Sequence, residues 1–231
     1  MRIKIYQIDH DKDEKSVKFM PLEYAVKHGG IDPSSYKTAF YGDLEAENLE
    51  DIFRIFNTDE IPGTHQGHSL SVSDIVEVLD DAPSVVKGCY FCDSVGFEKV
   101  DFDSSQCADM EGKRALFITP HHTPVEIRIG NDLKSMQRAV GGLIEMICPF
   151  EDESAILVCN EEGKLNGMEG NRRLEGDVIA GPFFMIRDDG EGGTTDLTDE
   201  QVQKYAKCFA KPEDISPEEI EDHLGFTFTP M

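Results

Sequence analysis

The sequence predicts an α+β protein with two small mixed domains, each an antiparallel sheet with packed helices, followed by a short acidic helical tail. Three observations support this prediction. Runs rich in β-branched and aromatic residues alternate with short amphipathic segments. The 231 residues are enough to bury the cores of two domains. Composition changes predict domains over residues 1–110 and 111–187, and a linker and tail over residues 188–231.

The first predicted domain begins with a strand and contains two helices. Three isoleucines flanking Tyr6 predict the strand. A proline near the start and a glycine pair at the end predict a helix over residues 21–30. Apolar residues recur every three or four positions over residues 47–57, which predicts a second helix with an acidic outer face. Two β-prone runs, residues 69–79 and 85–92, are separated by DDAPS and predict a hairpin.

Two motifs in this domain carry a family resemblance. They are GHSLSVSDIVEV at residues 67–78 and YFCDSVGFEKV at residues 90–100. Together they resemble the YodL-like domain, which occurs in proteins of mobile genetic elements, and the resemblance covers about residues 1–103. It implies no catalytic residue. His68 stands where similar sequences often carry an arginine.

The second predicted domain follows a connecting segment. Residues 104–124 are predicted to be this connection because small, polar and proline residues surround a short apolar run. Asp132 is predicted to cap a helix over residues 133–140, which ends at a glycine pair. Residues 144–148 and 155–159 are predicted to pair as strands.

Residues 177–186 are predicted to form the last strand of this domain. They contain the run IAGPFF, which follows the turn-forming NEEGKLN at residues 160–166. With the earlier glycine pair and PF dipeptide, this order of motifs resembles an uncharacterised domain family carried by bacteriophages and conjugative elements. The resemblance implies a genomic setting and no chemistry. Eight apolar residues of the domain are predicted to be buried: Val140, Leu143, Ile144, Ile147, Ile156, Val158, Ile179 and Phe184.

The chain becomes polar and acidic after Arg187. The sequences TDEQ at residues 198–201 and SPEE at residues 216–219 are typical of helix N-termini, and they predict two short helices. The apolar residues of these helices are predicted to dock on the body of the protein: Val202, Tyr205, Phe209, Ile220, Leu224 and Phe226.

The chain is strongly acidic, and its charge is unevenly distributed. It has 46 acidic residues and 22 lysines and arginines, for a formal net charge of −24. The net charge is −12 over residues 1–110, −3 over residues 111–187 and −9 over residues 188–231. Such a field repels phosphates and attracts basic surfaces, so bare nucleic acid is excluded as a direct partner and a cationic partner is favoured.

The sequence favours a reducing, cytoplasmic location. The six cysteines lack the spacing of a disulfide framework, and the N-terminus MRIKIYQIDHDKDEK has no apolar signal region. No apolar run reaches the roughly 18 residues that a membrane span requires. No membrane partner is therefore expected.

The charge and the two resemblances predict a non-enzymatic accessory protein of a phage or mobile element that acts as an anti-CRISPR or anti-restriction inhibitor. Its acidic surfaces would imitate nucleic-acid phosphates and occupy the basic groove of a host defence protein, such as a CRISPR effector or restriction enzyme. An acidic face that only aids solubility is the alternative explanation. No cofactor or metal is expected. The predicted partner-binding residues are Glu47, Glu50, Asp51, Glu218, Glu219 and Asp222.

The competing prediction is a small-ligand site, a metal site or an active site near the cleft between the domains. Its candidate residues are His65, His68, Asp74, Cys92 and Asp93. Cys92 forms a C-x-x-C pair with Cys89, but no second pair follows. Because a strand places residues three apart on opposite faces, both thiols are predicted to be structural.

Two short clusters have a structural and a functional explanation. His121 and His122 are adjacent and lack the helical i, i+4 spacing of a chelating pair, so they are predicted to be solvated loop residues. Arg172 and Arg173 form the local basic cluster of the second domain. They would suit an anion, but pairing with the surrounding acids is the prediction.

Overall fold

The computed structural model describes residues 1–152 and 154–223. It divides into two compact units, the first spanning Met1–Met110 and the second beginning at Glu111. Each unit is built on antiparallel sheets, which confirms the predicted α+β class. Leu224 and Phe226, which were predicted to dock, lie outside the described residues.

The first unit contains one five-stranded sheet. Its strands are β1 (Arg2–Ile8), β2 (Tyr36–Asp43), β3 (Ile75–Val78), β4 (Gly88–Cys92) and β5 (Phe97–Val100), and its helices are α1 (Leu22–Lys27) and α2 (Leu49–Ile55). The strands lie in the order β2-β1-β3-β4-β5, and every neighbouring pair is antiparallel. The predicted hairpin is present as the pair β3 and β4, although both helices are shorter than the sequence pattern suggested.

Strand β1 is covered on both faces. Ile3 and Ile5 pack in a cluster that includes Ile52 of α2, whereas Tyr6 and Ile8 pack in a second cluster with Ala25 of α1. Successive residues of a strand point to opposite faces, so each helix covers its own side of the sheet. The first unit is therefore a sheet between two helical layers.

The second unit has a larger sheet and a separate hairpin. Its elements are β6 (Lys113–Ile118), β7 (Val125–Ile129), α3 (Leu133–Val140), β8 (Ile144–Ile147), β9 (Ala155–Asn160), β10 (Gly170–Leu174), β11 (Asp177–Ala180), β12 (Phe183–Asp188), β13 (Thr194–Thr195), α4 (Asp199–Cys208) and α5 (Pro217–Asp222). The sheet has the order β7-β6-β12-β9-β8, with β13 paired to β12, and β10 pairs with β11 in the hairpin.

Two strand predictions in this unit were wrong. The apolar run in the predicted connection belongs to β6, an interior strand between β7 and β12. Its side chains Leu116 and Ile118 are buried in the core of the unit. The predicted last strand is broken into β11 and β12 at Gly181. This glycine has a φ of +83°, and Pro182 after it has no N–H for a strand ladder.

The predicted ends of the helices in this unit are confirmed. The side chain of Asp132 accepts a hydrogen bond from the backbone N–H of Ser135, and Gly141 ends α3 with a φ of +76°. Thr198 and Gln201 form the predicted capping box at the start of α4. The side chain of Ser216 caps α5. Such signals depend only on residues within one helical turn, so contacts with distant parts of the chain do not change them.

The predicted core of the second unit is largely present. Val140, Ile156, Val158, Ile179 and Phe184 are buried. Ile144 and Ile147, on the sheet-edge strand β8, are half-buried. The prediction for Leu143 was wrong: this residue is 53% exposed because it lies in the turn between α3 and β8.

Helices α4 and α5 contribute to the core of the second unit. Tyr205 and Phe209 pack in the cluster that contains Leu157 and Phe183. Ile220 packs with residues of the β10–β11 hairpin and its surroundings. The segment predicted as a linker and tail therefore supplies apolar residues to the unit. Among the described residues, no helix is long and apolar enough to cross a membrane.

Candidate functional site

The acidic cluster at α2 is only partly presented to solvent. Asn48 caps the helix by accepting a hydrogen bond from the backbone N–H of Asp51 at 2.8 Å. The Asp51 carboxylate in turn accepts the backbone N–H of Glu47 at 3.0 Å. Glu47 thus precedes the helix, although the sequence pattern predicted a helix that begins at residue 47. Glu47 and Glu50 are exposed, whereas half-buried Asp51 stabilises the helix N-terminus.

The acidic cluster at α5 is divided in the same way. Glu218 and Asp222 are exposed. Glu219 receives two hydrogen bonds of 2.6 Å from the guanidinium of Arg173, which also binds Glu213 at 2.7 Å. Arg173 lowers the pKa of Glu219 through these bonds. The predicted pairing of Arg173 with nearby acids is therefore confirmed, and Glu219 already has a cationic partner.

Arg172 has a different environment from its neighbour. Its side chain is 1% exposed and is the largest fully buried side chain among the described residues. Its guanidinium donates to the carbonyl oxygens of Phe209 at 3.0 Å and His122 at 2.7 Å, and to Asn171. Burial lowers the pKa of this guanidinium. Arg172 therefore binds backbone carbonyls around the end of α4 and offers no anion site.

A buried polar cluster lies in the first unit, and it includes three of the competing candidates. We call Gln7, His65, His68 and Asp74 the polar cluster. The Asp74 carboxylate has no exposed surface, and its Oδ2 accepts the Gln7 amide N–H at 2.9 Å and the Ser71 backbone N–H at 2.8 Å. The Gln7 amide also donates to the backbone carbonyl of His68 at 2.8 Å. His65 Nε2 lies 2.8 Å from that same oxygen.

The protonation of the polar cluster follows from these contacts. His68 Nδ1 is 2.8 Å from the carbonyl oxygen of Ser69 and 3.1 Å from the amide nitrogen of Gln7. A hydrogen on Nδ1 satisfies the shorter of these contacts and makes Nε2 an acceptor. Burial lowers the pKa of His68 and raises the pKa of Asp74 to about 8. Because Asp74 Oδ2 accepts two N–H groups, the proton of the neutral acid belongs on Oδ1. His68 Nε2 and Asp74 Oδ1 have no hydrogen-bond partner among the described residues.

Two residues next to the polar cluster, Phe19 and Ser73, have a strained backbone. The ring of Phe19 lies 5.1 Å from the ring of His68, and Phe19 has a φ of +65°. Ser73 has a φ of +79°, and its hydroxyl accepts the backbone N–H of Phe19 at 2.9 Å. Such conformations cost free energy for residues other than glycine and are frequent at functional sites. Sequence reasoning missed Gln7, Phe19 and Ser73, because no local pattern marks them.

The remaining competing candidates contribute no reactive group. The thiol of Cys92 is buried, which raises its pKa to about 12, so it stays protonated. The Asp93 carboxylate accepts backbone N–H groups from Leu22 and Ser94. All five candidates lie within the first unit. Within residues 1–152 and 154–223, no group of three or more His, Cys, Asp or Glu side chains is arranged to hold a metal ion.

Comparison with known proteins identifies two domains. Residues 2–102 match the YodL-like domain, and residues 113–210 match the family described as Domain of unknown function (DUF3846). Comparison with curated proteins and with solved structures finds no match. The predicted resemblance to a YodL-like domain is therefore confirmed, and the second domain includes helix α4. The chain therefore carries a YodL-like domain over residues 2–102, followed by a DUF3846 domain over residues 113–210.

Proposed function

We propose that this chain is a non-enzymatic accessory protein of a phage or mobile element that inhibits host defence. It binds the basic nucleic-acid groove of a defence protein, such as a CRISPR effector or restriction enzyme, and blocks access of the nucleic acid. The proposal is based on an excess of acidic side chains that the chain's own lysines and arginines cannot neutralise. With 46 acids and 22 lysines and arginines, at least 24 acids have no lysine or arginine of their own even if every lysine and arginine binds one acid.

Four of the six predicted acids support the proposal. Glu47, Glu50, Glu218 and Asp222 are exposed. Asp51 and Glu219 are engaged in a helix cap and an ion pair, respectively. The four exposed acids stand at or beside the short helices α2 and α5, whose backbones fix their positions.

The physical basis is the similarity between spaced carboxylates and spaced phosphates. A basic groove that binds nucleic acid gains affinity by releasing counterions, and an acidic protein that enters the groove gains from the same electrostatic attraction. Both interactions weaken as salt screens the charges. Binding of this chain is therefore expected to weaken as the salt concentration rises.

Charge reversal of the exposed acids is the experiment that tests the proposal. The two variants are Glu47→Lys with Glu50→Lys, and Glu218→Lys with Asp222→Lys. At low salt, each is expected to lower the association rate with a susceptible nuclease about tenfold, because long-range steering depends on the local field. The melting temperature should change little, because the replaced side chains are exposed. Surface plasmon resonance and DNA-cleavage assays on a panel of purified CRISPR effectors and restriction enzymes measure both effects.

The matched control is a reversal of two exposed acids on another part of the first unit. Glu98→Lys with Asp101→Lys changes the net charge equally, but Glu98 lies on β5, at one edge of the sheet. We expect this control to retain most of the binding. Equal losses in all three variants would show that only the total charge matters. Normal binding by both test variants, or no inhibition across the panel, would overturn the proposal.

A small-ligand site in the first unit is the second candidate function. It is supported by two buried atoms that have no hydrogen-bond partner among the described residues, His68 Nε2 and Asp74 Oδ1. The His68 ring also contacts Phe19, which has a strained backbone. A neutral imidazole nitrogen accepts a hydrogen bond and a protonated carboxyl donates one, and both suit a hydroxyl group or a water molecule. Calorimetric titration of the wild type and of His68→Ala with small polyols tests this candidate. Equal heats from the two proteins would count against it.

A further inference from the structure

The second unit has a groove of about 780 Å³ between two segments of the chain. One wall is formed by residues 164–170, which lead into β10, and the other by residues 214–221, which include the start of α5. The floor is apolar, because Ile215 and Ile220 are buried and Met168 packs against them. Its volume is within the range of about 300–1,000 Å³ that is common for ligand-binding pockets.

The rim of the groove combines an exposed apolar side chain with negative charge. Leu165 is 65% exposed. Glu169, Asp214 and Glu221 are exposed acids on the two walls. The basic groups of the lining already have acidic neighbours: Lys164 pairs with Asp177, and His121 lies 3.1 Å from Glu169. The rim is therefore complementary to a positively charged partner.

The two walls are held together by packing and by ion pairs. A Cβ atom at Gly170 would lie 2.6 Å from Cβ of Ile215, so the glycine allows the two segments to meet. Arg173 of β10 binds Glu219 of the other wall and Glu213, which directly precedes that wall. These contacts fix the width of the groove before any partner arrives. A preformed groove loses little conformational entropy on binding.

We infer that this groove anchors a partner segment in which an apolar side chain is flanked by lysine or arginine. The apolar side chain enters over Met168 and Ile220, and the flanking bases pair with the acids of the rim. The inference rests on the proposed function, because it supplies the anchoring contact for the same basic partner. Distributed charge mainly accelerates association, whereas a buried apolar anchor mainly slows dissociation.

The test measures an apolar contribution separately from charge. The probe is a fluorescent KKLKK peptide, compared with KKSKK, and its binding to the full-length chain is followed by anisotropy and stopped flow. Leu165→Asp adds a negative charge while removing the apolar contact. It is expected to raise the dissociation rate of KKLKK about tenfold, the effect of losing one buried leucine contact. KKSKK loses no apolar contact and gains an acidic neighbour, so it should not dissociate faster from the variant.

A matched control is Leu133→Asp, which makes the same chemical change at a 57% exposed leucine on α3. It should bind both peptides like the wild type. Ile220→Ala, which shortens a floor residue without changing charge, should also speed dissociation of KKLKK, with circular dichroism reporting that the variant is folded. These three results together would support the inference.

Other occupants of the groove give different outcomes, and each overturns the inference. A dimer in sedimentation velocity that Leu165→Asp dissociates would assign the groove to a second copy of the chain. Peptide binding that occurs only after deletion of residues 224–231 would assign it to the chain's own C-terminus. Equal KKLKK kinetics in the wild type and both groove variants would show that the groove is not an anchor. The peptide assay is independent of the nuclease assay, so failure here leaves the acidic-surface proposal to its own test.

Discussion

Replacing Arg172 with Ala is expected to destabilise the second unit by at least about 3 kcal/mol. The guanidinium donates to carbonyl oxygens of Phe209, His122 and Asn171, and its side chain is 1% exposed. Alanine would leave these buried oxygens without their donor and would also leave a cavity. Phe209 is at the C-terminal end of α4, where the helix dipole favours a positive charge. The substitution therefore also removes the contact through which Arg172 docks this helix.

Urea unfolding measured by hydrogen–deuterium exchange tests this expectation, because the exchange of each unit is resolved separately. Arg173→Ala is the matched control: the adjacent arginine is partly exposed and binds only at the surface, so its loss should change stability little. Arg172→Lys should fall between the two, since an ammonium group lacks the fork that reaches several carbonyls. Equal stability of Arg172→Ala and Arg173→Ala would show that the buried contacts contribute little.

The contrast between these two arginines shows where sequence reasoning reached its limit. Adjacent residues of a strand point to opposite faces, so one of the pair had to face the core and the other the surface. The sequence alone does not determine which of the two arginines faces inward. That depends on how β10 pairs with β11 and on how α4 packs. The prediction of acid pairing was therefore right for Arg173 and wrong for Arg172.

Features that depend on neighbouring residues were predicted well. The caps of α3 and α4 and the β3–β4 hairpin are each specified within a short stretch. Strand β6 was missed because its place in the sheet depends on β12, more than sixty residues later in the chain. Its short apolar run looked like part of a connection when considered alone.

The same limit applies to the candidate site. His65, His68 and Asp74 are close in sequence, so they were grouped correctly. Their principal partner, Gln7, is 61 positions from His68, and only the pairing of β1 with β3 brings it there. For the acids, sequence identified the charged clusters but not the internal roles of Asp51 and Glu219, which depend on the exact start of α2 and on Arg173.

The second large effect expected is a dependence of stability on pH that comes from Asp74. Burial raises the pKa of this carboxyl from 3.8 to about 8, so the folded state keeps a proton that the unfolded state releases. The stabilisation is complete below pH 3.8 and is lost as the pH rises through 8. Between these values the free energy of unfolding should fall by up to about 1.4 kcal/mol per pH unit.

Other titrating groups around Asp74 restrict the useful pH range. Burial lowers the pKa of His68 from 6.5, so this residue makes the folded state less stable as the pH falls below 6.5. Cys92 and Tyr36 have raised pKa values, which affect stability only in more alkaline solution. Lys18 partly offsets the effect of burial on the pKa of Asp74. From pH 6.5 to 8 the effect of Asp74 on stability therefore exceeds the opposite effect of His68.

Asp74→Asn is the variant that tests this assignment. The amide oxygen of the variant side chain can accept the N–H groups of Gln7 and Ser71. The amide is neutral at every pH, whereas the Asp74 carboxyl is neutral only below about pH 8. Between pH 6.5 and 8 the wild type should lose stability while Asp74→Asn should not, so the advantage of the variant should grow with pH. Exposed Asp101→Asn is the control and should follow the wild type. Urea titrations at several pH values measure the slopes, and parallel slopes for wild type and Asp74→Asn would mean that Asp74 is already ionised in the fold.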